Sequence, residues 1–251
     1  KILSTAKLDP TIINGGVINS LNSNAKFGKG EWAVLEADES DGSFLKLPVN
    51  YSVVTNIDNE HLDYYKNYNN LKKAFIKFIN KTPPIGKAIV CIDNIDVKKI
   101  LKEVKTKNFL TYGFDKAADY QIINANYLPN STKFNLKTKY HGTQKKIIKN
   151  IILNLIGKHN VLNATAGIAI CLNLGISINI IKKALKNFSG VQRRLTKILT
   201  RNKIEFYDDY AHHPTEIKSV LDGLKKVSAK RKIISVFQPH RYSRVKSLKK
   251  E

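Results

Sequence analysis

The sequence has no methionine, one tryptophan and only two cysteines, and acidic residues are scarce. No methionine stands even at position 1. The chain opens on Lys1 in what reads as a helix end and closes on Glu251 in a basic helical pattern, so both ends are expected to be cuts in a longer chain. Cys91 and Cys171 each sit alone in an apolar segment, with no CxxC neighbour and no nearby paired histidine. That excludes a disulfide scaffold and a thiolate metal site, and points to buried free thiols in a reducing compartment. Long apolar runs are also missing. The longest, Ile147 to Ile156, is broken by Lys149, Asn150 and Asn154, well short of the roughly 20 residues that span a bilayer. No apolar segment followed by small residues opens the chain either, so no secretory signal is read. A cytoplasmic protein without membrane insertion is expected.

The shortage of acids leaves 43 basic residues against 20 acidic ones, a formal charge of +23. Such an excess often marks a nucleic-acid partner, but only six of the basic residues are arginine. The lysines fall in separate groups, such as Lys72, Lys73 and Lys77 or Lys182, Lys183 and Lys186, on the polar faces of amphipathic helices. No basic stripe interleaved with aromatics occurs, so no nucleic acid is expected. With 42% hydrophobic residues over 251 positions the chain can build real cores.

The first thirty residues, around Asn14-Gly15-Gly16, read as irregular. Trp32 to Ala37 and Tyr51 to Asn56 are short apolar runs of the kind that form buried strands. A helix is expected from Asn69 to Asn80, a strand from Lys87 to Asp93 and a helix from Asp96 to Val104. This alternation predicts an α/β fold with a mostly parallel sheet. From Phe109 to Ile152 short alternating stretches predict a small antiparallel sheet. Long helical patterns follow at 157–174 and 179–187. A domain boundary is placed at 188, giving domains of 1–187 and 188–251. The second is expected to hold a strand at Ile204–Asp209, a helix at 214–226 and a strand at Lys232–Phe237.

Polar clusters fall at the carboxyl ends of the predicted strands, where open α/β sheets bind ligands. In the string EADESDGSF, Glu36 offers a carboxylate suited to a hard cation. In TNIDNEHLD, His61 ends the next predicted strand, so the two side chains are expected to converge on one ion. In GKHNVLNATAG, Asn160 and Asn163 lie three apart near a helix start and carry the donor and acceptor groups that match an adenine edge. The strings FSGVQRR, DDYAHHPTE and FQPHRYSR gather arginines and histidines suited to carboxylate or phosphate.

Taken in order, these six strings resemble the Mur ligase family, and most closely its alanine-adding branch. The resemblance covers nearly the whole chain. It implies a central ATPase domain over 1–187, followed by the first part of a Rossmann-like amino-acid-binding domain over 188–251. The family's GTxGKTT-type loop is absent; it lies just before the segment matching Leu8-Asp9-Pro10. The resemblance therefore implies a chain that lacks this loop, the UDP-sugar domain and the end of the last domain, and that is inactive alone.

The function implied is ATP-dependent ligation of L-alanine to the lactyl carboxylate of UDP-N-acetylmuramate through an acyl phosphate. Glu36 is implied as a Mg²⁺ ligand, with His61 in the second metal site and in catalysis. His159, Asn160 and Asn163 line the adenine pocket. Arg194, with Arg193 as the alternative, approaches the γ-phosphate. Tyr210, His212, His240, Arg241 and Arg244 surround the amino acid, the two arginines pairing its carboxylate, with His212 and His240 also counted as catalytic. The rival within the family is the murein-recycling ligase that adds a whole peptide to the same sugar; FQPHR favours L-alanine. A basic nucleic-acid-binding module is the weaker rival.

Overall fold

The computed structural model describes residues 1–139, 146–228 and 231–239. A short helix α1 (Ile2–Thr5) leads into a three-stranded sheet of β1 (Thr11–Ile18), β2 (Ser23–Lys26) and β3 (Ala33–Leu35). Its order is β2-β1-β3, antiparallel between β1 and β2 and parallel between β1 and β3. The stretch read as irregular is thus a hairpin. Its regular register breaks between Ile13 and Ile18, where Asn14-Gly15-Gly16 interrupts the pairing. The run Trp32–Ala37 does hold a strand, but not a buried one: Ala33 and Val34 are exposed.

The main sheet has six strands in the order β4-β5-β6-β7-β8-β9. These are β4 (Tyr51–Val54), β5 (Lys87–Cys91), β6 (Phe109–Gly113), β7 (Tyr120–Leu128), β8 (Ser131–Thr138) and β9 (Lys146–Leu153). From β4 to β7 all pairs are parallel, and β7-β8-β9 are antiparallel. The expected antiparallel strands are present as β7 to β9, joined edge to edge to the parallel ones; β6, at the start of the stretch read as antiparallel, pairs parallel on both sides.

Helices cover both faces of the parallel part. On one side lie the short α2 (Leu62–Tyr65), α3 (Tyr68–Asn80) and α4 (Ile95–Ile100). On the other lie α5 (Lys158–Asn173) and α6 (Ile178–Lys186). The strand β5 shows why its sequence is apolar throughout. Ile89 and Cys91 point into the core under α5 and α6, while Ala88 and Val90 point into the core under α3 and α4. A 3₁₀ turn at Ser43–Lys46 drops Phe44 into the second core, where its ring lies 5.6 Å from Phe75 and 5.0 Å from Phe78. In β8, by contrast, Phe134 and Leu136 face the core while Lys133 is exposed, the alternation of a sheet buried on one face. Both cysteines are free and buried, as expected.

Beyond residue 188 come the hairpin β10 (Thr196–Arg201) with β11 (Ile204–Asp208) and the helix α7 (Pro214–Val227). The strand expected at Lys232–Phe237 does not form. Residues 231–239 pair with no strand among the described residues, and Val236 is 95% exposed; apolar content alone supplies no ladder partner. No helix among the described residues is long and apolar enough to cross a membrane.

Candidate active site

The site builds from the carboxyl ends of β4 and β5, the start of α5, and the segment on either side of the β10–β11 hairpin. After β4, the loop 55–60 leads to His61, which caps α2 with a left-handed backbone (φ 58°). Its Nε2 lies 3.7 Å from Glu39 Oε1 and 3.9 Å from Glu60 Oε2. Burial raises the Glu39 pKa despite the nearby His61. After β5, Asp93 receives the N–H groups of Phe114 and Asp115 at 2.8 and 3.0 Å. Its other oxygen faces Lys158 Nζ at 3.6 Å, which ties the end of β5 to the first residue of α5.

On that first turn, His159 packs its ring against Gly157 and keeps Nδ1 buried without a hydrogen-bond partner among the described residues. Burial pulls its pKa below that of an ordinary imidazole; Asp209 and Glu216 oppose this and Arg194 adds to it. Residues from both sides of position 188 therefore share one electrostatic environment. Asn160 donates Nδ2–H to Ile156 O at 2.8 Å; its side-chain carbonyl oxygen is of a kind that can accept from a ligand donor. Asn163 is exposed on α5.

The arginine segment is held in place by backbone contacts. Asn19 and Gln192 clasp it to the β1–β2 hairpin, through Asn19 N–H to Gly190 O at 3.2 Å and Gln192 N–H to Val17 O at 2.8 Å. Arg193 (φ 57°) and Leu195 (φ 48°) take left-handed conformations, and Asp209 fixes the turn by accepting Leu195 N–H at 2.7 Å. Arg193 then pairs with Asp208 at 3.3 Å and Arg194 with Glu216 at 3.6 Å. The guanidinium groups lie 4.9 and 6.0 Å from the Tyr210 ring. The Tyr210 ring in turn meets His212 edge-on at 5.0 Å. Both arginines remain more than half exposed, so neither is locked away from an incoming anion.

His213 and Glu216 start α7 with a reciprocal capping box followed by Pro214. Glu216 Oε2 accepts His212 N–H at 3.1 Å and His213 N–H at 3.4 Å. Burial alone would raise its pKa, but these N–H groups, His212 and Arg194 hold it below the usual carboxylate value. Asp58, from the loop after β4, lies 3.5 Å from His213 Nδ1. Asp58, Asp209, His213 and Glu216 are the residues that sequence reasoning missed. The signal was present: Glu216 stands three residues after His213, the spacing of a capping box.

One expectation does not stand as made. Glu36 follows β3 in the three-stranded sheet, whereas His61 follows β4 in the six-stranded one, and β3 pairs with β1 rather than β4. The two are not at the ends of hydrogen-bonded neighbouring strands. Instead Glu36 Oε2 accepts Gly15 N–H at 2.6 Å, while His61 sits between Glu39 and Glu60. Among the described residues no group of three His, Cys, Asp or Glu side chains encloses an ion position. Mg²⁺ often keeps several waters and takes only one or two protein carboxylates. Glu36 fits that chemistry; the imidazole nitrogen of His61 fits it less well. His240, Arg241 and Arg244 lie outside the described residues.

Residues 11–171 match the Mur ligase middle domain, and residues 193–251 match the Mur ligase glutamate ligase domain. The chain is 51% identical over 250 residues to a UDP-N-acetylmuramate--L-alanine ligase of Pelagibacter ubique, covering 100% of this chain and 54% of that protein. It is 44% identical to the enzyme of the same name from Bartonella tribocorum, covering 97% of this chain and 51% of the relative. A crystal structure of UDP-N-acetylmuramate-alanine ligase from Thermotoga maritima superposes with a TM-score of 0.79 at 29% identity, over 98% of this chain and 54% of that one. A murein peptide ligase from Psychrobacter arcticus shares the fold, with a TM-score of 0.68 at 24% identity over 96% of this chain and 54% of the other. The chain spans about half the length of the curated relatives it matches. With its middle-domain match running through most of the sequence and the fold in agreement, the chain belongs to the Mur ligase family.

Proposed function

We propose that this chain supplies the nucleotide-binding and amino-acid-binding parts of a ligase that uses ATP to join L-alanine to the lactyl carboxylate of UDP-N-acetylmuramate. One observation carries the reading. The start of α5 lies against α7, where a Cβ added at Gly223 would stand 3.3 Å from the Gly157 Cα, and Glu216 on the first turn of α7 pairs with Arg194 at 3.6 Å, so α7 links the start of α5 to the arginine segment. Polar groups there suit both ends of a nucleotide. The Asn160 carbonyl can accept from an adenine amino group, and His159 offers a partly buried ring beside it. Arg194, with Arg193 as the alternative, would bring a half-exposed guanidinium to the transferring phosphoryl group, where negative charge gathers.

In this reading the lactyl carboxylate oxygen attacks the γ-phosphorus of ATP and ADP leaves, giving the acyl phosphate. The L-alanine amine then adds to the acyl carbon, and inorganic phosphate departs as the amide forms and the amine loses a proton. Tyr210 and His212, held next to Arg194, line the amino-acid side together with His240, and Arg241 and Arg244 pair with the carboxylate. Mg²⁺ accompanying the nucleotide would draw one oxygen ligand from Glu36, where it would offset phosphate charge. His61 remains the candidate for that ion's wider surroundings.

The test is phosphate release by the full-length ligase, with Arg194→Ala and Arg241→Ala variants. Arg194→Ala is expected to lower kcat by about 10²-fold with little change in the KM for L-alanine. Arg241→Ala is expected to raise that KM and to cost about 2–4 kcal/mol in kcat/KM, with the KM for ATP far less affected. Phosphate release that does not depend on UDP-N-acetylmuramate and L-alanine would overturn the reading.

A further inference from the structure

His213 is a buried titratable side chain for which the ligation chemistry has no use. It is 2% exposed, and it stands between two partners that want opposite things of one atom. Thr215 N–H points at Nδ1 from 3.3 Å, within the first turn of α7. The Asp58 carboxylate approaches the same Nδ1 at 3.5 Å from the loop after β4. To accept from Thr215, Nδ1 must carry its lone pair; to pair with Asp58, it must carry a proton. The ring's other nitrogen, Nε2, is buried and has no hydrogen-bond partner among the described residues, so no third contact selects the tautomer.

The two partners also belong to different parts of the chain. Asp58 lies three residues before His61, whereas His213 follows directly on Tyr210 and His212. Asp58 and Thr215 line a shared cleft of about 450 Å³, with Ile57, Tyr68, Asn94 and Asp96 among its walls. The other charged group near His213 is Glu216, which accepts its backbone N–H and is itself paired with Arg194.

We infer that His213 is a positioning residue: with Nδ1 bare it caps α7, and with Nδ1 protonated it ties the Tyr210–His212 segment to the loop that carries His61. The exchange is a trade between two bonds of similar reach, so whatever binds beside Asp58 shifts it. The catalytic meaning of this rests on the ligase reading above; the tautomer exchange does not.

The experiment records the ring ¹⁵N shifts of His213 in the 251-residue chain and in its Asp58→Ala variant. The expected result is a shift toward the unprotonated, accepting form of Nδ1 once Asp58 is gone; identical shifts in both chains overturn the inference. His213→Asn keeps a strong N-cap while removing the reach to Asp58. It is expected to leave the helical circular dichroism unchanged and to speed amide exchange at residues 57–61 about three- to tenfold; unchanged exchange there refutes the tie. In the full-length ligase, Asp58→Ala and His213→Asn should each raise the KM for L-alanine by a similar factor, with kcat little changed. The double variant should be no worse than either single one. Additive effects would sink the coupling, whereas an enzyme with another substrate would leave the ring shifts as they are.

Discussion

Removing the Glu216 carboxylate offers a quantitative check on how the amino-acid side of the site is held. In Glu216→Ala, His212 N–H and His213 N–H lose their acceptor at 3.1 and 3.4 Å, and Arg194 loses its partner at 3.6 Å. Loss of a helix cap typically costs about 0.5–2 kcal/mol. The second bond is long and the side chain is 37% exposed, so the lower half of that range applies. The first-turn charge adds about 0.3–1 kcal/mol through the helix dipole, and the better helix propensity of alanine returns a few tenths. The net loss is about 0.5–2 kcal/mol, roughly two- to thirtyfold in an opening equilibrium. Because the chain has more than one core, global unfolding is a blunt probe; amide exchange across Pro214–Val227 reads the local opening directly. Glu216→Gln keeps an acceptor and drops the charge, so it should show about half the effect or less. A Gln variant as damaging as Ala would mean that charge, not the cap, holds the segment. Unchanged protection of α7 in the Ala variant would refute the reasoning.

Other expectations follow from the same geometry. Gly86→Ala would set a Cβ 1.5 Å from Asn50 O, a backbone clash that must shift β5 or the turn before β4. The melting temperature should fall by several degrees, and an unchanged value would show the turn to be adaptable. Phe44→Ala should cost about 3–5 kcal/mol, since its ring is 1% exposed between Phe75 and Phe78; urea titration reads the loss. Stability should also decline on acidification in two stages. The folded pKa of His159 is depressed, so the unfolded chain takes its proton first and stability falls as pH drops below the ordinary 6.5. That of Glu216 is depressed too, so its contribution is present above 4.5 and fades as pH falls through the folded value. His159→Gln should remove the first stage in a pH series of melting temperatures and leave the second.

How much of this was legible in the sequence depended on whether the signal was local. The N-cap and Pro of HHPTE fix the start of α7 from neighbours alone, and the helix begins at Pro214 as read. The apolar run of β5 marked a strand, and the strand forms, covered on both faces. Runs at Trp32–Ala37 and Lys232–Phe237 carried the same signal, yet Val34 is 47% and Val236 95% exposed. Apolarity records a tendency to be covered; the covering layer is a long-range fact. The site shows the same division. The motif strings named Arg193, Arg194, Tyr210 and His212, which do assemble, but the ladder that keeps β3 apart from β4 is not written in either strand. Asp58 and His213 are 155 positions apart in the sequence, and no spacing rule joins them.

The close approach of Gly223 to Gly157, where an added Cβ would lie 3.3 Å from the Gly157 Cα, turns α7 into a lever. Gly223 is the buried residue of that helix, so near the start of α5 the helix meets the main body through bare backbone, with Lys226 over the Tyr127 ring one turn further on. From there to Pro214 is nine residues, an arm of about 13 Å at 1.5 Å per residue. A tilt of only about 5° at the fulcrum carries the far end by about 1 Å, enough to break a hydrogen bond or make one. Bulk placed at the glycine pair would therefore be felt most at the other end of the arm, among His212, His213 and Arg194.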